Sequence, residues 1–159
     1  MSPAAPDFEA PALRRAGPAD AAAIAQLTAV AYEKWLPRLG RPPRPLTVNY
    51  AEALLRHRFD VSPANGEIVA AIETTPEDGW LLIVNIAVRP TAQRQGLAGA
   101  LLDHAETLAR GDGLAGLRLY ANALMTENLA FYRRRGFVVE RIEPFAGGEI
   151  VHLERPFVR

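Results

Sequence analysis

LLIVNIAV (81–88), RPTAQRQGLAGALL (89–102) and DHAETLAR (103–110) form one continuous stretch, and its reading decides the fold. The run Leu81 to Val88 is short, rich in branched apolar residues and stopped by Arg89-Pro90, as expected for a buried central strand. Pro90 has no amide to donate to a ladder, so the strand ends there. Beyond it, Leu97, Leu101, Leu102, Ala105, Leu108 and Ala109 fall on one broad helical face. Between strand and helix lies Gln93-Arg94-Gln95-Gly96-Leu97-Ala98-Gly99. Gly96 and Gly99 lack a Cβ and Ala98 has the smallest one, so the backbone can approach a ligand closely. The free N–H groups of a helix start then face an anion. The physical reading is a phosphate-binding turn at a strand-to-helix junction. It is not a P-loop, because no Gly-Lys-Ser/Thr follows. It is a poor Rossmann fingerprint, because the glycine spacing is wrong and the unit is not the first βα of the chain.

The chain has 159 residues, enough for one domain with a sizeable core. Lysine plus arginine equals aspartate plus glutamate at 18 each, so charge gives no reason to expect nucleic acid or a membrane surface as partner. Cysteine is absent, which removes disulfides, a thiol nucleophile and thiolate metal sites. No apolar stretch approaches a membrane span and no signal peptide is visible, so a cytoplasmic protein is the default expectation.

Working outward, residues 1–11, with three prolines, read as a flexible tail, and 12–159 as one domain. Ala12 to Ala16 reads as an edge strand. Asp20 is a candidate cap for a helix reaching about Trp35 and burying Ile24, Leu27, Val30 and Ala31. Pro37 to Pro45, with four prolines and three arginines, reads as a loop, followed by a helix over Val48 to Arg56. Two strands, His57–Val61 and Glu67–Thr74, flank a turn at Asn65-Gly66, and Thr75–Gly79 turns into the central strand. Gly111-Asp112-Gly113 ends the central helix. A strand over Leu114–Ala121 follows, then a helix from an N-cap at Thr126 through Arg135, with Gly136 at its C-terminal cap. Phe137–Ile142 and Glu149–Leu153 form a closing hairpin. That order predicts a mixed sheet with helices on both faces.

The residues QRQGLA at 93–98 match the signature Q/R-x-x-G-x-G/A of the GNAT (Gcn5-related N-acetyltransferase) superfamily. NLAFYRRRGF at 128–137 resembles the family's second pattern, N-x-x-A-x-x-F/Y-Y-x-x-x-G-F, in shortened form, and Asn128 and Tyr132 are four apart on one helical face. The resemblance covers roughly residues 12 to 155. It implies an α/β (α+β) fold whose mixed, mostly antiparallel sheet of about seven strands splays at its centre, flanked by about four helices. It implies acetyl-CoA as cosubstrate. The backbone of Gln95, Gly96, Leu97, Ala98 and Gly99 would hold the pyrophosphate, preceded by Gln93 and with Arg94 adding a charged contact. Ile86, Ala87 and Val88 would offer unpaired backbone groups to the pantetheine arm and the thioester. Asn128 would bond the pantetheine region, and Tyr132 would protonate the leaving thiolate.

The family often carries a glutamate on the central strand as base. Here that core reads Leu82-Ile83-Val84-Asn85-Ile86, without a carboxylate. The base would come from Glu73, Asp78, His57 or His152, or from bulk water, with Glu73 on the neighbouring strand the first choice. His57, His104 and His152 have no ligand spacing, so no metal is expected. Arg133, Arg134 and Arg135 read as a solvated helix end ahead of a clamp for the adenylate 3′-phosphate. Trp35, Tyr50 and Trp80 are candidates for the acceptor pocket or the core. The expected function is acetyl transfer to a primary amine, with a small amino-acid-like or antibiotic-like amine ahead of a protein N-terminus or lysine, and of a non-catalytic acyl-CoA-binding module. A homodimer stays open.

Overall fold

In the computed structural model, residues 12–158 are described; the expected flexible tail lies outside them. The seven strands are β1 (Arg14–Arg15), β2 (Arg58–Ala64), β3 (Glu67–Glu77), β4 (Trp80–Val88), β5 (Gly116–Asn122), β6 (Val138–Phe145) and β7 (Gly148–Pro156). The helices are α1 (Ala21–Tyr32), the one-turn α2 (Leu36–Leu39), α3 (Tyr50–Arg56), α4 (Leu97–Gly111) and α5 (Thr126–Arg134). One sheet runs β1-β2-β3-β4-β5-β7-β6, and only β4 and β5 are parallel, so β4 sits in the middle.

Two cores form on the two faces of the sheet. Leu101, Leu102, Ala105 and Ala109 of α4 pack with Ile72, Leu81, Ile83, Leu117, Leu119 and Leu153. Ile24, Leu27 and Ala31 of α1 pack with Tyr50, Phe59, Val61 and Ala71 on the other face. Both are contiguous apolar clusters removed from water, which is where the folding free energy resides.

The central feature is a break in β4. Glu73 pairs with Asn85 and Thr74 with Ile83, which leaves Val84 as an extra, bulged residue. A bulge bends its strand and resets the two-residue alternation. Leu81 and Ile83 therefore face the α4 core, while beyond the bulge Ile86 and Val88 take over that face and Ala87 turns to the α1 core. Pairing of β4 with β5 covers Leu81–Leu117, Leu82–Arg118 and Ile83–Leu119 and ends at the bulge, although β4 runs on to Val88 and β5 to Asn122. The sheet splays there.

Several local expectations are corrected. α1 ends at Tyr32 and tightens into a 3-10 turn over Glu33–Trp35. Its buried face includes Thr28, whose hydroxyl donates to Ile24 O at 2.8 Å, whereas Val30 is only half-buried. Asp20 stands at the N-cap of α1 as expected, but its side chain makes no capping bond to the helix; its carboxylate accepts from Gly17 N–H at 2.9 Å and from Arg14 at 2.8 and 2.9 Å. Those bonds from Arg14 hold the Asp20 carboxyl down at about 2. The proline-rich segment contains α2, because Pro37 falls in the first turn, where a missing N–H costs nothing, and Gly40 ends it at φ +69°. His57 is the C-cap of α3 and not a strand residue. The hairpins are longer than expected, with β3 running to Glu77 and β7 to Pro156. Thr126 is the first residue of α5 and Met125 the N-cap; Gly136, at φ +93°, follows the helix as expected, with Phe137 N–H returning to Tyr132 O at 3.1 Å. No helix among the described residues is long and apolar enough to cross a membrane.

Candidate active site

A cleft of about 450 Å3 opens at the splay. Its floor is Ile86 and Val88 of β4, one wall is the turn Gln93–Gly99, the opposite wall is α5 with Asn128, Phe131, Tyr132 and Arg134, and it is closed by Tyr32 at the end of α1 with Lys34 and Trp35 of the 3-10 turn that follows.

The turn is built by backbone conformation. Arg94 (φ +66°) and Gly96 (φ +78°) are both left-handed, a geometry glycine adopts freely and arginine does not. Successive reversals of this kind turn amides toward a common point. Gln93 N–H bonds Pro90 O at 3.3 Å, and Ala100 N–H bonds Gly96 O at 3.0 Å; no amide from Arg94 to Gly99 has a backbone acceptor among the described residues. Those amides lie at the positive end of the fifteen-residue α4, an arrangement whose chemistry suits an anion. The Gln93 side chain is spent structurally, since its Nε2 donates to Val88 O at 3.2 Å and ties the turn to the end of β4.

Of the residues expected to bind the cofactor, Ile86, Val88, Gln93, Arg94, Gly96, Leu97, Ala98, Gly99, Asn128 and Tyr132 line this cleft. Ala87 and Gln95 do not: Ala87 is buried in the α1 core after the bulge and Gln95 is exposed. Only their backbones could take part. Arg135 lies across the outer face of Gly99, where a Cβ would run into its guanidinium. Lys34 was given no site role from sequence and Arg134 reads there as part of a solvated helix end, yet both line the cleft. The signal available for Arg134 is its position three residues after Phe131, one turn along the same helical face.

Tyr132 is half-buried between Phe131 (ring centroids 5.5 Å) and Phe137 (5.7 Å). Burial pushes its phenol up to about 12, so it is protonated at neutral pH. Its hydroxyl makes no hydrogen bond among the described residues and is free to donate into the cleft. Tyr32 faces it from α1, and burial raises that phenol further still. Its hydroxyl donates to Asn85 Oδ1 at 2.6 Å.

Glu73 is not brought to the cleft wall. It is 4 % exposed, on the α1 face of β3 beside Asn85, and its carboxylate meets His57 Nδ1 at 2.7 Å. Asp78 is in the β3–β4 turn, and His152 bonds Glu143 at 2.6 Å on the far hairpin. No Asp or Glu lines the cleft among the described residues. Trp35 lies in the cleft wall, 5.1 Å from Lys34 Nζ and 5.2 Å from the Arg38 guanidinium carbon, measured from its ring centroid. Tyr50 is a core residue bonded to Pro45 O at 2.7 Å, and Trp80 stacks on Arg118 at 4.2 Å, away from the cleft. Arg38 of α2 reaches across to Glu127 of α5 with bonds of 3.1 and 3.2 Å, a strap between two cleft walls.

A splayed sheet, an amide-lined turn and a phenol opposite it are the arrangement the sequence motifs imply. The model of the acetyltransferase (GNAT) family matches residues 24–137. The chain belongs to that family. The family comprises acyltransferases that use acetyl-CoA as cosubstrate. This GNAT chain is 33% identical over 82 residues to an IAA acetyltransferase from Azospirillum brasilense, a match covering 50% of the chain and 54% of the relative. The chain thus spans about half the length of the curated relative it matches. Among solved structures it resembles the PaiA N-acetyltransferase from Thermoplasma acidophilum in complex with coenzyme A (TM-score 0.78, 16% identity, 92% of this chain and 98% of that one). It also resembles the ribosomal-protein-S18-alanine N-acetyltransferase from Escherichia coli (TM-score 0.73, 25% identity, 91% and 92%). These likenesses show the fold; they assign no acceptor.

Proposed function

We propose that this protein transfers the acetyl group of acetyl-CoA to a primary amine of a small molecule, by direct attack of the amine on the thioester. The observation that carries the reading is the convergence of the free amides of residues 94–99, Asn128 and Tyr132 on one cleft at the open end of the splay. The amides take the pyrophosphate, with Arg94 and Arg134 beside them. The β4 backbone from Ile86 to Val88, unpaired on the β5 side, takes the pantetheine and offers donors to the oxyanion. Tyr132 gives the thiolate its proton. A compact acceptor, ahead of an extended polypeptide, belongs to this reading. A cytoplasmic location belongs to this reading. So does a homodimer through the edge strand β6, which exposes Val138, Ile142 and Phe145.

Thermal unfolding with acetyl-CoA, free CoA and NADH tests the cofactor. At a hundredfold excess over Kd a native-state ligand stabilises by about 2.7 kcal/mol, which at this chain length raises Tm by about 5–11 °C. A rise with both CoA species and none with NADH is expected. No shift at millimolar acetyl-CoA refutes the proposal. Tyr132→Phe should then lower kcat by about 10²- to 10⁴-fold while leaving that shift in place.

A further inference from the structure

We propose that Lys34 is a modification site: its side-chain amine takes the acetyl group from the cofactor bound in the same chain's cleft, so that the protein acetylates itself there. This rests on the acetyltransferase reading above and goes beyond it, to a second acceptor built into the fold.

Composition singles out one amine. Lysine plus arginine total 18, and Lys34 is the one lysine among them. A guanidinium keeps its proton in water and does not attack a thioester, whereas a primary amine that sheds its proton does. The single side-chain amine of the chain stands in the wall of the cleft that acetyl-CoA is proposed to fill.

Its distance from the reacting end is set by one glutamine. Lys34 lies in the 3-10 turn Glu33–Trp35 that follows α1, and its Nζ is 3.5 Å from Gln93 Oε1. Nε2 of the same Gln93 amide donates to Val88 O at 3.2 Å. One side-chain amide therefore stands between the Lys34 amine and the end of β4, the strand whose Ile86–Val88 backbone is assigned above to the pantetheine and the thioester. Tyr132, the proton donor for the thiolate, lines the same cleft from α5. A lysine tip moves by several ångströms on changing rotamer, which is the scale of the step it has to make.

The tethers on that amine are weak. A donor–acceptor separation of 3.5 Å lies beyond the usual range for N–H···O bonds. The other contact is with the face of Trp35, 5.1 Å from Nζ to the ring centroid, at an exposed position where such contacts are weak. Arg38, one turn further along, is held more firmly, with two bonds to Glu127 at 3.1 and 3.2 Å. Lys34 is thus a loosely held primary amine at the mouth of an acetyl-transfer site.

The step balances. The Lys34 ammonium first gives one proton to water. The nitrogen lone pair attacks the thioester carbon and the N–C bond forms. The C–S bond breaks as the carbonyl re-forms. Tyr132 gives its proton to sulfur and regains one from nitrogen. The products are an amide on Lys34, CoA thiol and one released proton. Acetylation removes the charge, and with it the cation over Trp35 and the ammonium beside Gln93. It leaves a longer, uncharged side chain in the cleft wall. With one lysine in the chain, each molecule modifies a side chain of its own once.

The test uses the full chain with acetyl-CoA and no added amine, read by intact mass and by mapping the peptide that carries Lys34. One acetyl group on that peptide is expected, formed with a half-time that stays constant as protein concentration is varied, because donor and acceptor share one chain. A saturating excess of free CoA should stop it. Lys34→Arg, which keeps the charge and offers no primary amine, should gain nothing at that position. A half-time that shortens as protein concentration rises overturns the inference, because transfer then runs between chains. So does a rate unchanged by free CoA, which reports chemical acetylation outside the cleft. The acetyl-CoA rise in Tm is measured alongside. Its absence sinks the acetyltransferase reading and the inference together, whereas a rise in Tm with Lys34 left unmodified sinks only the inference.

Discussion

Asp60 lies at a place where one atom change has a calculable cost. It is 2 % exposed on β2 and accepts two bonds from the Arg58 guanidinium, at 2.9 and 3.1 Å. Its other neighbour is His104 of α4, whose Nε2 is 3.4 Å from Oδ1 and has no hydrogen-bond partner of its own. The carboxylate thus joins β2 to α4, the helix that follows the turn Gln93–Gly96. Asp60→Ala strips the partner from both groups. Breaking a buried ion pair from one side costs about 3–5 kcal/mol. Arg58 is 36% exposed and can turn to water, so the cost falls below that range, at about 2–3 kcal/mol. At this length each kcal/mol moves Tm by about 2–4 °C, giving a drop of about 4–12 °C. Thermal unfolding followed by circular dichroism reads it directly. Asp60→Asn, which keeps shape and an acceptor, should lose less. The double variant Asp60→Ala with Arg58→Ala should cost less than the sum of its singles by about 1 kcal/mol or more. A Tm within about 2 °C of wild type for Asp60→Ala would refute the reasoning, because a buried charge would then have been removed from two partners at no cost.

Other expectations follow from single observations. Gly116→Ala should cost more than about 2 kcal/mol, since the new methyl meets Arg155 O, a Trp80 ring carbon at 2.7 Å and Pro156 Cα at 2.8 Å; urea unfolding reads the loss. Acid titration of stability should show a loss between about pH 4 and pH 2 from Asp20. Its folded pKa, about 2, lies below the unfolded value, so its contribution is complete above the unfolded pKa and disappears as pH falls through the folded one. Half-exposed Arg14 limits that contribution to about 1 kcal/mol, and Asp20→Asn should flatten the acid limb. Arg134→Ala should weaken acetyl-CoA binding about tenfold at low ionic strength and less in high salt, measured by calorimetry, if its place in the cleft wall reflects a phosphate contact.

What the sequence disclosed was local. The turn at Asn65-Gly66, the strand stopped by Pro90 and the apolar stripe of α4 each depend on residues within a few positions, and each is where it was expected. The cleft was legible for the same reason, because residues 93–99 and 128–132 carry their motifs in short runs. The bulge at Val84 has no such mark. It arises from pairing between β3 and β4, and it is what turned Ala87 away from the cleft. The partners of the polar groups were equally hidden. Tyr32 meets Asn85 across 53 residues of chain, and Glu73 meets His57 across 16, so Glu73 read as a free carboxylate when it was already engaged. Pro37 shows the converse error, a residue excluded from helix interiors that sits comfortably in a first turn.

The break in β4 also has a mechanical meaning. Four strands on one side and three on the other are joined by three residue pairs and the packing of α4, so the sheet resembles two blades on a short hinge. A cosubstrate in the gap, where the proposed function places it, would act as a seam between the blades. The stiffness of the molecule would then depend on how much acetyl-CoA surrounds it. Amide hydrogen exchange in β5 and β7, remote from any direct contact, should slow as the seam fills, and the protein would register the acetyl-CoA supply in its own rigidity before any acceptor arrives.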